Sequence, residues 1–260
     1  MCKYLEPEAI DNTYLLSDIH LYGFSGETTN VWIAENTQGK ICGIVLRYFQ
    51  TYICYTLPED GAASKMQVFL LRHNPFIVIA KGSVADALMP GLIDYTRNDK
   101  VLCALHTKDF LYKITTQITV AKPEDALEIA RQFKKIEEFQ NMYNDENTLA
   151  DNIAERIRSG EGEHLFIRHG GKIVAHGNSA GIAEKTAFVN GIFTLPEHRG
   201  HGYASQIVSE ISRRLIDSGR NPVLSYDNMD AGRIYRRLGY EDAGVLSFLS
   251  PPKKQDGHPL

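Results

Sequence analysis

One stretch limits the local structures open to this chain more than any other. An apolar run at 187–194 meets Leu195-Pro196-Glu197-His198-Arg199, and then Gly200-His201-Gly202-Tyr203-Ala204 opens an amphipathic segment. Ile207, Val208, Ile211 and Leu215 recur at helical spacing, so a strand, a Pro-led turn and a helix over 203–217 are predicted. Glycines at a helix mouth let the backbone approach a ligand, and the first amides of a helix have no partner inside it. Those donors, the positive end of the helix dipole and the Arg199 guanidinium favour an anion, most naturally a phosphate or pyrophosphate.

The details separate kinds of phosphate loop. A P-loop needs Gly-Lys-Ser/Thr at the helix start, and here Gly202 is followed by Tyr203-Ala204. A dinucleotide fold needs glycines directly after the strand and a third Gly where this chain has Ser205. A second constellation follows at 222–240. Asn228 is a helix-start residue, Ala231, Ile234, Tyr235 and Leu238 share one helical face, and Gly239-Tyr240 ends the run.

Together, Pro196-x-x-Arg199-Gly200-x-Gly202-x-Ala204 and Asn228-x-x-Ala231-x-x-x-Tyr235-x-x-x-Gly239-Tyr240 resemble the acetyl-CoA signature of the GNAT N-acetyltransferase superfamily. The resemblance covers residues 115–250. It implies a mixed α/β sheet in the GNAT acyl-CoA N-acyltransferase fold, and acetyl-CoA as cosubstrate. It also implies an acetyl group moved to an amine of a small molecule or peptide by direct attack on the thioester. By that resemblance Ile192, Phe193 and Thr194 contact pantetheine, and Arg199, Gly200, His201, Gly202, Tyr203 and Ala204 cradle the phosphates. Asn228 is a cap, a cofactor contact or both, and Tyr235 stands at the family's acid position, where a phenol of pKa about 10 can protonate the leaving thiolate. The family's strand Glu has no counterpart: Asn190 is the polar side chain there, so His176, Glu184, a water or no base at all remain open. That gap keeps a second reading alive, a non-catalytic acyl-CoA-binding sensor. His198-x-x-His201 is not assigned a metal, because both family positions vary.

The order of predicted elements from residue 115 is strand (115–121), two helices (123–139 and 148–159), three strands, helix, strand, helix and a last strand at 243–249. Residues 1–114 are expected to form an N-terminal α/β domain. Strands at 30–35, 40–48 and 51–56, a helix at 62–72, a strand at 76–80 and a helix at 83–88 look like a truncated copy of the second half. That copy lacks the Arg-Gly-x-Gly, so a tandem with a degenerate first half is expected, with residues 115–250 as the acetyltransferase domain and 251–260 as a flexible tail. An unrelated α/β domain is the alternative.

Of 260 residues 43% are hydrophobic and 23% charged, with net charge −4, which suits packed cores and argues against a basic nucleic-acid surface. No apolar run approaches a membrane span, and the N-terminus lacks signal-peptide character, so a cytoplasmic protein is expected. Cys2, Cys42, Cys54 and Cys103 are read as reduced. The acceptor's identity and the oligomeric state are open. Asp145, Glu146, Asp151 and Glu155 make 141–157 acidic, which suits a cationic amine, and a solvated helix face accounts for them equally well.

Overall fold

A computed structural model describes residues 1–139 and 145–252 of the chain. It divides into two compact units. The first comprises Met1–Leu102, Ser225–Asp227 and the segment from Asp242, and the second Cys103–Leu224 and Asn228–Glu241. In chain order the first unit contributes α1 (Cys2–Leu5), α2 (Thr13–Tyr22), β1 (Thr29–Glu35), β2 (Ile41–Tyr48), β3 (Thr51–Tyr55), α3 (Ala63–His73), β4 (Ile77–Lys81), α4 (Gly82–Leu88) and β5 (Thr96–Ala104). Then come β6 (Thr119–Val120), α5 (Ala126–Phe133), α6 (Glu146–Ser159), β7 (His164–His169), β8 (Lys172–Ala180), β9 (Thr186–Thr194), α7 (Tyr203–Asp217), β10 (Asn221–Tyr226), α8 (Met229–Arg237) and β11 (Glu241–Ser250).

The first unit orders its strands β1-β2-β3-β4-β11-β5. β1, β2 and β3 form an antiparallel meander, β4 lies parallel to β3, and β11 runs antiparallel to β4. The strand read from sequence as closing the second half therefore belongs to the first unit. Its Leu246 and Leu249 are buried there, in register with Lys81 and Val78. A strand next to the parallel pair must be supplied from elsewhere in the chain, and sequence order does not say by which segment. The core gathers Val45, Tyr52, Met66, Leu70, Val78 and Leu88, and Trp32 stacks on Tyr52 at 6.2 Å. None of the four cysteines is in a disulfide, and burial pushes the Cys54 thiol up to about 12.

The second unit repeats the scheme with β6-β7-β8-β9-β10, antiparallel throughout except for the parallel β9–β10 pair. α7 buries Ile207, Val208, Ile211 and Leu215, each worth about 1.5–3 kcal/mol when fully removed from water. Its polar positions are also inside. Gln206 Oε1 accepts from the amides of Thr115 and Thr116, and Ser209 Oγ from that of Tyr112. These bonds take backbone donors that a ladder would have used, so the strand expected over 115–121 shortens to Thr119–Val120. α5 likewise stops at Phe133 rather than near 139, with a 3-10 turn at Glu137–Phe139 beyond it. The expected tail lies outside the described residues from 253 on.

Candidate functional site

The predicted site residues all fall in the second unit. β9 pairs with β10 over three positions, Thr186↔Asn221, Ala187↔Pro222 and Phe188↔Val223, and then continues to Thr194 without further pairing in that ladder. On its other edge β9 carries a bulge. His176 faces Phe193 and Asn178 faces Asn190, so Gly191 and Ile192 oppose Gly177 alone. Gly191 sits at φ +61°, and a Cβ there would run into Asn178 Oδ1. Only glycine meets both demands at this turn of the strand. Phe193 is buried, edge-on to Phe133 at 5.0 Å and stacked on His176 at 5.3 Å, so it can offer a ligand only its backbone. Thr194 Oγ1 is buried without a hydrogen-bond partner among the described residues.

Thr194 leads into a 3-10 turn, Pro196–His198, and then the glycines. Gly200 and Gly202 have φ of +83° and +74°, and a Cβ at either would enter open space. Gly202 caps α7 with no side-chain bond, so the first amides of α7 are left for a ligand. Arg199 Nε donates to Thr194 O at 3.2 Å, which ties the loop to the strand end. No ion pair engages that guanidinium among the described residues; Glu210 is taken by Arg213 and Arg214. His201 Nδ1 bonds back to the carbonyls of His198 and Arg199, and its ring stacks on Tyr203 at 5.6 Å. Phosphate oxygens fit this set of open, positively polarised donors.

Asn228 caps α8, its Oδ1 accepting from the amides of Asp230 and Ala231 at 2.9 and 3.4 Å. Tyr235 lies two turns on, buried, edge-on to Tyr240 at 6.0 Å. Tyr240 in turn bonds Ser212 of α7 at 2.7 Å, and burial holds its phenol well above the ordinary range. The cap holds the start of α8, and the Tyr240 contact ties the turn after α8 to α7.

Of the two side chains considered as bases, Glu184 lies far along the strand from Thr194 and His176 is buried. Glu184 is exposed before the first residue of β9, about 26 Å of strand from Thr194. Asn190 is a half-buried amide opposite Asn178. His176 is fully buried, with Nδ1 2.8 Å from Gly191 O and Nε2 3.0 Å from His164 Nδ1. Sequence reasoning passed over His164 and the bulge. The lone Gly191 inside a strand pattern was the available signal for the second. Of the acidic residues considered for an acceptor, Asp145 caps α6 through Thr148, Glu146 pairs with Arg131 and Glu155 with Arg158. Residues 141–144 lie outside the described residues.

The two imidazoles make acid stability testable. Burial, then the nearby His176 and Arg156, lower His164 to about 2; burial lowers His176 to about 4 against the contribution of Gly191 O. At pH 7 both rings are uncharged in the folded chain, each with a single N–H, and mostly uncharged in the unfolded chain. Below about pH 6.5 the unfolded chain takes up two protons that the folded chain refuses. Stability is then lost with acid, about 2 kcal/mol per ring between pH 7 and pH 5. Urea unfolding at the two pH values checks this, and an unchanged midpoint would mean that the rings are not held neutral.

Residues 127–240 match the family model for the acetyltransferase (GNAT) family. No curated protein matches the chain. Solved structures do. A GCN5-related N-acetyltransferase from Kribbella flavida is 18% identical, with 93% of this chain and 96% of that one covered at a TM-score of 0.61. A GNAT-family acetyltransferase from Colwellia psychrerythraea is 15% identical, covering 96% and 97% at 0.58. A tandem GNAT protein from the clavulanic acid biosynthesis pathway is 13% identical, covering 95% and 89% at 0.58. At these identities the likeness is one of fold: the chain has the mixed α/β GNAT fold over most of its length.

Proposed function

We propose, from the premise that the chain carries a domain of the GNAT acetyltransferase family at residues 127–240, that it is an acetyl-CoA-dependent N-acetyltransferase acting on an amine of a small molecule or peptide. The observation that carries this reading is the run from β9, whose ladder with β10 stops at Phe188, to the glycine mouth of α7, which has no side-chain cap, and to Arg199, which has no ion pair among the described residues. Ile192, Phe193 and Thr194 would hold the pantetheine arm along that edge. Arg199 and the amides from Gly200 to Ala204 would hold the phosphates, with Asn228 at the mouth of α8.

Bound acetyl-CoA supplies an acyl group activated on a thiolate leaving group. Backbone N–H groups at the bulge polarise the carbonyl, and their fixed direction costs nothing at the moment of reaction. Tyr235 donates its phenolic proton to the departing sulfur, and the proton that the attacking nitrogen sheds restores the phenol through water. No side chain is assigned as base, so the acceptor must present its own neutral fraction, and the rate should follow the acceptor's pKa. The absent strand carboxylate also favours a second reading, an acyl-CoA sensor with the same site and no turnover. Thiol release from acetyl-CoA across a panel of amines decides between them: acceptor-dependent release supports the enzyme, and binding without release supports the sensor.

In the first unit the corresponding places are filled by the chain itself. β3 and β4 stay paired through Cys54↔Ala80, close to their ends. Tyr4 Oη accepts from the Leu57 amide and donates to Asp60, while Glu8 accepts from Tyr55 and pairs with Lys81 at 2.6 Å. The turn before α3 carries Glu59 and Asp60 where an anion would need donors. One acetyl-CoA per chain is therefore expected in calorimetry, and a stoichiometry of two would restore the first unit as a donor site.

A further inference from the structure

We infer that His164 and His176 are positioning residues for acyl transfer, acting through a hydrogen-bonded chain that holds the β9 bulge in register. The inference rests on the reaction proposed above. A carbonyl oxygen can only accept, so the 2.8 Å contact to Gly191 O places the proton of His176 on Nδ1. In a neutral ring Nε2 is then an acceptor, and the 3.0 Å contact places the proton of His164 on its own Nδ1. The order is fixed in one direction: His164 Nδ1–H to His176 Nε2, and His176 Nδ1–H to Gly191 O.

Both rings are buried beside the bulge. His176 is fully buried, edge-on to Phe133 at 5.2 Å and stacked on Phe193 at 5.3 Å. His164 is 5% exposed and lines a cleft of about 450 Å³ with Ile157, Ser179 and Arg214, among others. Burial keeps both rings uncharged, which the acceptor role of His176 Nε2 requires. What they grip is the one irregular peptide of β9. Gly191 O belongs to the residue whose left-handed backbone creates the bulge, and its peptide bond carries the amide of Ile192. Fixing that plane fixes where the Ile192 N–H points, and the next donor along the strand is Phe193 N–H. A rotation of the Gly191–Ile192 peptide would move the donors for the thioester carbonyl with no change at the phosphate loop.

Displacements on the scale of 1 Å at a reacting centre cost about 100-fold in rate. His176→Leu, which keeps bulk and removes the donor, is expected to lower kcat about 10- to 100-fold, with the acetyl-CoA dissociation constant within about threefold. His176→Asn, whose side-chain amide can donate from near the Nδ1 position, should recover most of kcat. A folded His176→Leu with natural kcat, or a loss expressed only in binding, would overturn the proposal. Ring ¹⁵N spectra of the natural chain test the geometry without any variant: both histidines should show the Nδ1–H tautomer, and an Nε2–H tautomer at His176 would end it. An inactive natural chain that shows the Nδ1–H pair would count against the reaction and leave the clamp standing.

Discussion

Gly202→Asp is expected to abolish acetyl-CoA binding while leaving the protein folded. A ligand at 100 times its dissociation constant adds about 2.7 kcal/mol, a rise of roughly 5 to 10 °C for a chain of this size. The Asp variant should show none of that rise. Two effects act together, and a second variant separates them. Gly202 sits at φ +74°, so any side chain carries backbone strain there, though its Cβ would meet open space. Gly202→Asn shares the strain without the charge and tolerates the left-handed region about as well. If the Asn variant keeps part of the thermal shift and the Asp variant none, an anion sits at the mouth of α7. Equal loss in both would assign the effect to backbone shape. A natural chain with no shift at all would remove the donor assignment and the enzyme with it.

Tyr235→Phe is expected to lower kcat by about 10² to 10⁴, the usual range for a positioned proton donor, with acetyl-CoA binding nearly unchanged. Phenylalanine keeps the ring that packs against Tyr240. The Tyr240–Ser212 bond that ties the turn after α8 to α7 is untouched, so that tie should survive the change. Loss of rate with normal binding would therefore report the phenolic proton. Natural turnover in the variant would leave Tyr235 a buried packing residue of α8. Raising pH offers an internal control, because a thiolate that leaves unaided is less sensitive to the missing acid.

How much of this was legible from sequence depends on the range of the contacts involved. α7 was predicted to the residue, Tyr203–Asp217, because its start is written in Gly202 and its face in Ile207, Val208, Ile211 and Leu215. α8 was equally readable, since Asn228 caps through neighbours two and three residues away. α2 and β5 were missed. β5 opens Thr96-Arg97-Asn98-Asp99-Lys100, a run with no alternating apolar face. Its polar side chains are satisfied at a distance, Arg97 by Asp86 and Asp99 by Ser247. The strand at 115–121 failed for the opposite reason: its local pattern was adequate, and Gln206, some 90 positions away, took its amides.

By itself, then, the sequence determined the units whose signals lie within one or two helical turns: the β9–α7 phosphate loop with Gly200 and Gly202 at its helix mouth, and the capped α8. It also excluded the P-loop and dinucleotide alternatives, because those demand particular residues at adjacent positions. The tertiary structure alone decided which strand lies beside β4, how far β9 runs past its ladder with β10, and what fills the first unit's corresponding ends. It alone joined His164 to His176 and His176 to Gly191 O, across 12 and 15 residues of chain. Those are pairings between strands, set by register rather than by neighbours in sequence, and a register shift of one residue would have sent each side chain to the opposite face.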